Sequence, residues 1–137
     1  MRAFRAVGLS FIPLPLYFYE ERSQDQTKDY ALSVIRLFAE LPKQTEAQIM
    51  GRQLLRCGTS VGAQYREASR GKSNADFISK IEGSLQELEE SEYWLELLDD
   101  SGVVPSERLA SIKTGELKGI FVSIVRNTKA KSKPPNS

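Results

Sequence analysis

Apolar residues return every three to four positions through most of this chain, a spacing that predicts helices rather than strands. From Asp25 to Leu41, the residues Tyr30, Val34, Leu37, Phe38 and Leu41 share a face, flanked by Ala31 and Ile35. Pro42 ends that helix, because a proline disfavours the α conformation of the residue before it. A second helix runs from Glu46 to about Ser69, its start marked by Thr45 and Gln48 as a capping box. A third spans Asn74 to Asp100, opened by Ser73 and Asp76, with Phe77, Ile81, Leu85, Leu88, Leu95 and Leu98 in one stripe. Ser101 and Gly102 close it. A fourth starts at Pro105 or Ser106 and continues to about Thr128 on Leu109, Ile112, Leu117, Ile120 and Ile124. Phe121, Val122 and Val125 widen its apolar surface beyond what one seam of a bundle needs.

Long helices joined by short turns lie antiparallel, so the expected fold is all-α, an antiparallel up-down-up-down four-helix bundle over residues 24–128. There is neither strand-like alternation with hairpin turns nor an internal repeat. Residues 1–23 read as a flexible N-terminal extension. Arg2 and Arg5 precede an apolar run as in a signal peptide, but Pro13 and Pro15 interrupt it and no small-x-small cleavage site follows. The run is also too short and broken to span a bilayer. Residues 129–137 read as a basic, disordered tail.

The second helix carries three lanes. Met50, Leu54, Cys57, Val61 and Ala68, with Tyr65 at the border, form a core face at about 100° per residue. Arg52, Arg56, Arg66 and Arg70 cluster on the opposite side. Between them runs a lane of Gly51, Gly58, Gly62 and Ser69, nearly free of side chains. A glycine in mid-helix costs roughly 1 kcal/mol relative to alanine, so this lane marks a close approach, either of another helix in the bundle or of another subunit.

With 137 residues the chain is one domain by size. Its 19 Lys and Arg against 18 Asp and Glu leave a formal net charge of +1, so any binding to nucleic acid must come from segregated charge. Segregation is present. Arginines dominate the second quarter, carboxylates dominate Glu82 to Asp100, and Arg126 to Lys133 is basic again. One cysteine and no histidine exclude an internal disulfide, a Cys-His pair, a Ser-His-Asp triad and a histidine-based metal site. Cys57, on the apolar face, reads as a small buried hydrophobe. No phosphate-binding glycine motif or nucleophile elbow occurs, and no cofactor, metal or catalytic residue is expected.

The arginines have two readings. In an antiparallel hairpin, Glu87 and Glu90 can meet Arg66 or Arg70 as structural ion pairs that fix register. That leaves Arg52 and Arg56 for a partner. Alternatively the whole lane, extended by Lys72, Lys129, Lys131 and Lys133, tracks a nucleic-acid backbone without reading sequence. Tyr93 and Trp94 point about 100° apart, so both cannot face one core, and an uncovered Trp94 is a candidate interface anchor.

The runs GTSVGAQYREA (Gly58 to Ala68), ADFISKI (Ala75 to Ile81) and EYWLELL (Glu92 to Leu98) closely resemble a bacterial four-helix-bundle family. Its members include proteins encoded by intervening sequences of 23S ribosomal RNA genes, and accessory variability proteins of diversity-generating retroelements are similar. The resemblance covers about Asp25 to Thr128. It implies a non-enzymatic bundle, often a homopentamer, and for the retroelement branch a basic surface contacting nucleic acid (RNA or DNA) and a reverse transcriptase. Arg66 and Glu67 match the family's Arg-Glu dipeptide, and Glu87 and Glu90 its acidic positions. Gln64 and Glu92 depart from its usual asparagine and apolar residue. The expectation is a cytoplasmic homo-oligomer without membrane contact that associates with nucleic acid, or else a protein-binding scaffold that does not.

Overall fold

The computed structural model describes the backbone of residues 16–132 and the side chains of residues 22–131. Most of the expected N-terminal extension, and the end of the expected tail including Lys133, lie outside these residues. The described chain is all helical, with no strand among its residues. Four long helices, α1 (Leu16–Glu40), α2 (Thr45–Ser69), α3 (Asn74–Asp100) and α5 (Thr114–Ser132), form a bundle, and a single short turn of helix, α4 (Ser106–Leu109), precedes the last.

Three boundaries differ from the sequence expectation. Helix α1 starts at Leu16 rather than Asp25 because no proline or glycine interrupts residues 16–41. Helix α5 runs to Ser132, four residues past Thr128, on the good helix formers Lys129, Ala130 and Lys131. The expected fourth helix is broken: α4 ends at Leu109 and α5 begins at Thr114. The break turns Thr114 inward, where its hydroxyl hydrogen-bonds the buried Tyr30 hydroxyl at 2.7 Å. Burial pushes the Tyr30 phenol up, opposed by its hydrogen bonds to Thr114 and Ser91.

One expected cap is also absent. Helix α2 begins a residue early, with Gln44 as its cap and no side-chain cap bond, so Thr45 is already helical. The Gln48 amide instead donates to the Pro42 carbonyl at 2.9 Å. At α3, Ser73 accepts from the Asp76 N–H at 3.1 Å, and Asp76 accepts from the Lys72 N–H at 3.2 Å. That cap encloses the α2–α3 turn.

The glycine lane of α2 receives α1. A Cβ on Gly51 would collide with Leu41 and Phe38, one on Gly58 would stand 3.0 Å from Val34, and one on Gly62 would stand 3.0 Å from the Thr27 hydroxyl. Partners descend along α1 as they ascend along α2, so these helices run antiparallel. Helix α3 covers the core face. The Ser84 hydroxyl donates to the Val61 carbonyl at 3.0 Å, and Ser91 donates to Cys57 Sγ at 3.2 Å. Leu54, Cys57, Val61, Tyr65, Ile81, Leu88, Leu98 and Phe121 are fully buried. Helix α5 packs on α3 and stacks Phe121 on Tyr65, with ring centroids 5.4 Å apart.

Two glycine substitutions should therefore have opposite signs. Gly58→Leu drives a side chain into Val34, which is stiff at χ1, and should cost about 1–3 kcal/mol. Gly119→Ala in α5, where a Cβ meets nothing within 4 Å, should gain about 0.5–1 kcal/mol from helix propensity. Urea unfolding measures both, and a Gly58→Leu variant as stable as the parent would contradict the close approach of α1.

Candidate nucleic-acid interface

Helix α2 is continuous from Thr45 to Ser69. From Arg52 to Arg70 it extends about 27 Å at 1.5 Å per residue. Arg52, Arg56, Arg66 and Arg70 are all exposed along it, and Lys72 is exposed in the turn that follows. Their partners differ.

Arg56 is held. Its guanidinium hydrogen-bonds the Glu90 carboxylate and approaches Glu87 at 3.7 Å. Glu90 accepts in addition from the Trp94 indole N–H at 3.1 Å. The bond from Arg56, then that from Trp94, holds the Glu90 carboxyl below its ordinary range, and the same bond from Glu90 raises Arg56. Glu87 also accepts from the Gln64 amide at 3.2 Å.

This differs from the expected pairing of Glu87 and Glu90 with Arg66 and Arg70. The reason is register. Cys57 lies opposite Ser91, Val61 opposite Ser84, and Glu67 opposite Lys80, with which it pairs at 3.2 Å. Arg66, next to Glu67, and Arg70 beyond it therefore lie opposite the first turns of α3, before its glutamates begin at Glu82. Among the described residues, Arg52, Arg66, Arg70 and the Lys72 ammonium have no ion pair. Lys129 lies elsewhere, 3.4 Å from Glu82 of α3. Lys118 with Glu92, at 2.8 Å, and Arg108 with Glu40, at 2.7 Å, are pairs the helical pattern did not reveal, since each joins elements whose register it cannot supply.

The glycines and the cysteine are accounted for by packing. Gly51, Gly58 and Gly62 face α1 within the chain. Cys57 is buried and its thiol is pushed up by that burial. Trp94 is half-buried beneath Glu90, and its neighbour Tyr93 stacks edge-on against it at 5.1 Å while remaining 52% exposed. No group of three or more metal-ligating side chains occurs among the described residues.

A groove was missed by sequence reasoning. It has a volume of about 1010 Å³ and lies where the end of α2 and the start of α3 face α5, with Ser23 of α1 at its border. Tyr65, Phe77, Ile120 and Ile124 line it, and so do Lys72 and Lys131. The excess apolar breadth of the last helix was its only trace in the sequence.

A family model described as 23S rRNA-intervening sequence protein matches residues 22–118. A solved structure of a protein of unknown function from the S23 ribosomal protein family of Bacteroides thetaiotaomicron VPI-5482 is similar. It is 35% identical, the match covers 78% of this chain and 97% of that one, and the TM-score is 0.73. No curated protein matches the chain.

The Arg56–Glu90 contact makes a pH-dependent prediction. A carboxyl whose folded pKa is lowered contributes stability above its unfolded pKa, and that stability is lost as pH falls through the folded value. The pair is largely exposed, so Arg56→Ala should cost no more than about 1 kcal/mol at neutral pH, and the difference from the parent should vanish in acid. An NMR titration of the Glu90 carboxyl should show its midpoint rising in Arg56→Ala. An unchanged midpoint would mean the pair does not form in solution.

Proposed function

The chain belongs to the 23S rRNA-intervening sequence protein family, and from that premise we propose that it is a non-catalytic helical-bundle adaptor associating with RNA or an RNA–protein complex through the outer face of α2. The observation that carries this reading is the set of exposed arginines, Arg52, Arg66 and Arg70, with no carboxylate partner among the described residues. Guanidinium groups on a rigid rod suit a row of phosphates, which they bind without reading sequence. Arg56, occupied by Glu90, contributes less than the sequence pattern implied, and Arg66 and Arg70 contribute more.

In this proposal the four long helices form an up-down-up-down bundle, and copies of the chain assemble into a homo-oligomer, a pentamer by family resemblance, that multiplies the cationic face. Repetition supplies affinity that one chain of net charge +1 lacks. The site of action is the cytoplasm, and a retroelement reverse transcriptase is one partner the resemblance suggests. No helix among the described residues is long and apolar enough to cross a membrane.

A second reading is a protein-binding scaffold without nucleic acid. It is favoured by Tyr93, 52% exposed against the half-buried Trp94, and by the equally exposed Ile49 on α2, because large exposed apolar and aromatic side chains are the kind of anchor interfaces use.

Anisotropy of a labelled single-stranded RNA against salt separates the two. The parent should show a steep negative slope of log affinity on log salt. Arg66→Glu with Arg70→Glu should weaken binding and reduce that slope by about 1 for each phosphate no longer neutralised. Arg56→Ala should change affinity less than twofold. Absence of binding at low salt, or an Arg56→Ala effect equal to that of the double variant, would overturn the assignment. Light scattering tests assembly, and a single-chain mass would remove the multiplied face.

A further inference from the structure

We propose that the groove between the α2–α3 turn and α5 binds one unpaired nucleotide, its base on the apolar floor and its phosphate at Lys72 and Lys131. The proposal rests on the nucleic-acid reading above and adds a pocket to it. Three features of the groove point to this chemistry.

Its floor is apolar and partly aromatic. Phe77, half-buried at the start of α3, forms it with Ile120 and Ile124, over the fully buried Tyr65 that stacks on Phe121. A flat ring can lie on such a floor, whichever base it belongs to.

Its walls are polar. Ser69, Ser73, Ser123 and Asn127 line the same space. Ser69 already donates to the Tyr65 carbonyl and Ser73 accepts from the Asp76 N–H, but an acyl chain would leave Ser123 and Asn127 facing hydrocarbon, which costs free energy unless they are hydrogen-bonded. A base edge and a ribose offer them partners.

Its charge is polarised. Lys72 and Lys131 stand at the α2–α3 end, exposed and without an ion pair among the described residues. The Asp76 carboxylate at that end is turned back to the Lys72 N–H. Glu116 lines the groove fifteen residues before Lys131 on α5, about 22 Å away along the helix. An anion is therefore attracted at one end and repelled at the other. That suits a ligand with one charged end and an uncharged planar body, rather than a strand running through. At about 1010 Å³ the groove is at the upper limit of ligand-sized clefts, roughly 300–1,000 Å³. Arg70 lies two residues before Lys72, so a strand whose phosphates rest on Arg66 and Arg70 arrives at the mouth.

Gly119 provides the test. It lines the groove, and a Cβ there meets nothing within 4 Å, so Gly119→Leu adds bulk at the groove from an unobstructed Cβ and with a better helix former. Binding of the parent and the variant is measured with single-stranded and fully paired RNA of equal length at low salt. Removal of one stacked base is about a five- to hundred-fold effect. Gly119→Leu should lower single-strand affinity by that order, leave paired RNA unchanged, and unfold no more easily than the parent. RNA carrying 4-thiouridine should cross-link to the peptide containing Phe77.

Equal binding of both RNAs, unchanged by Gly119→Leu and without that cross-link, overturns the pocket and leaves the cationic face standing. No binding of either RNA to the parent overturns both. A photo-crosslinker introduced at position 127 of the full chain should be protected by the single strand. Capture of residues 1–15 or of a second copy, undiminished by added RNA, means another occupant fills the groove and overturns the proposal.

Discussion

The register of α2 against α3 governs which charges this surface offers. It is held from inside, by two small hydroxyls. Ser84 donates to the Val61 carbonyl and Ser91 donates to Cys57, both in fully buried positions. Sliding α3 by one turn, about 5.4 Å, would part Ser84 from the Val61 carbonyl in the core, where an unsatisfied polar group costs about 1–3 kcal/mol, whereas Ser91 would lose Cys57 but keep its 2.8 Å bond to the Glu87 carbonyl of its own helix. Every ion pair between the two helices inherits this constraint. Arg56 falls opposite Glu90, Glu67 opposite Lys80, and the arginines beyond them opposite no glutamate. The buried polar pairs do not recognise a partner, yet they decide which cations remain available to one.

Periodicity made the helices and the core legible because it depends only on the neighbours three and four positions away. Leu54, Cys57 and Val61 are buried as the core face of α2 requires, and Ile81, Leu88 and Leu98 as the stripe of α3 requires. Angular position around α2 likewise identified the glycine lane and the arginine lane. It carries no information about axial offset between helices, so assigning Glu87 and Glu90 to Arg66 and Arg70 lay beyond what the pattern holds. Ser84 and Ser91 escaped for a related reason. A hydroxyl in a core position reads as an interruption of the apolar stripe, although here it is the element that sets the offset. The break between α4 and α5 left one trace, since Ile112 and Leu117 are five residues apart and would stand about 140° from each other on a continuous helix, but the pattern does not show that the backbone turns Thr114 toward Tyr30.

That break also shapes the seam between the first and last helices. Tyr30 and Thr114 tie α1 to the start of α5 in the buried interior. Towards the far end of α5, the wide face of Ile120 and Ile124 borders a groove with Ser23, Tyr65 and Phe77. The apolar breadth that looked excessive for one seam serves two surfaces, with Leu117, Phe121 and Val125 inside the core and Ile120 and Ile124 on the groove. One helix thus contributes both to stability and to a candidate site.

Net charge near zero is compatible with a row of unpaired arginines because several carboxylates are committed to other cations. Glu40, Glu67, Glu82, Glu90 and Glu92 are each paired with a specific cation, namely Arg108, Lys80, Lys129, Arg56 and Lys118. Such exposed pairs add little stability, typically about 0–1 kcal/mol each. Their larger effect is on the field. Each neutralises a cation on α3, α4, α5 or the middle of α2, while Arg66, Arg70 and Lys72, beside the mouth of the groove, are among the exposed cations without an ion pair among the described residues. The unpaired cations stand beside a polar-walled, partly aromatic cleft, and the proposed single-strand site draws on both, since such a site needs fixed points for phosphates and a surface for a base.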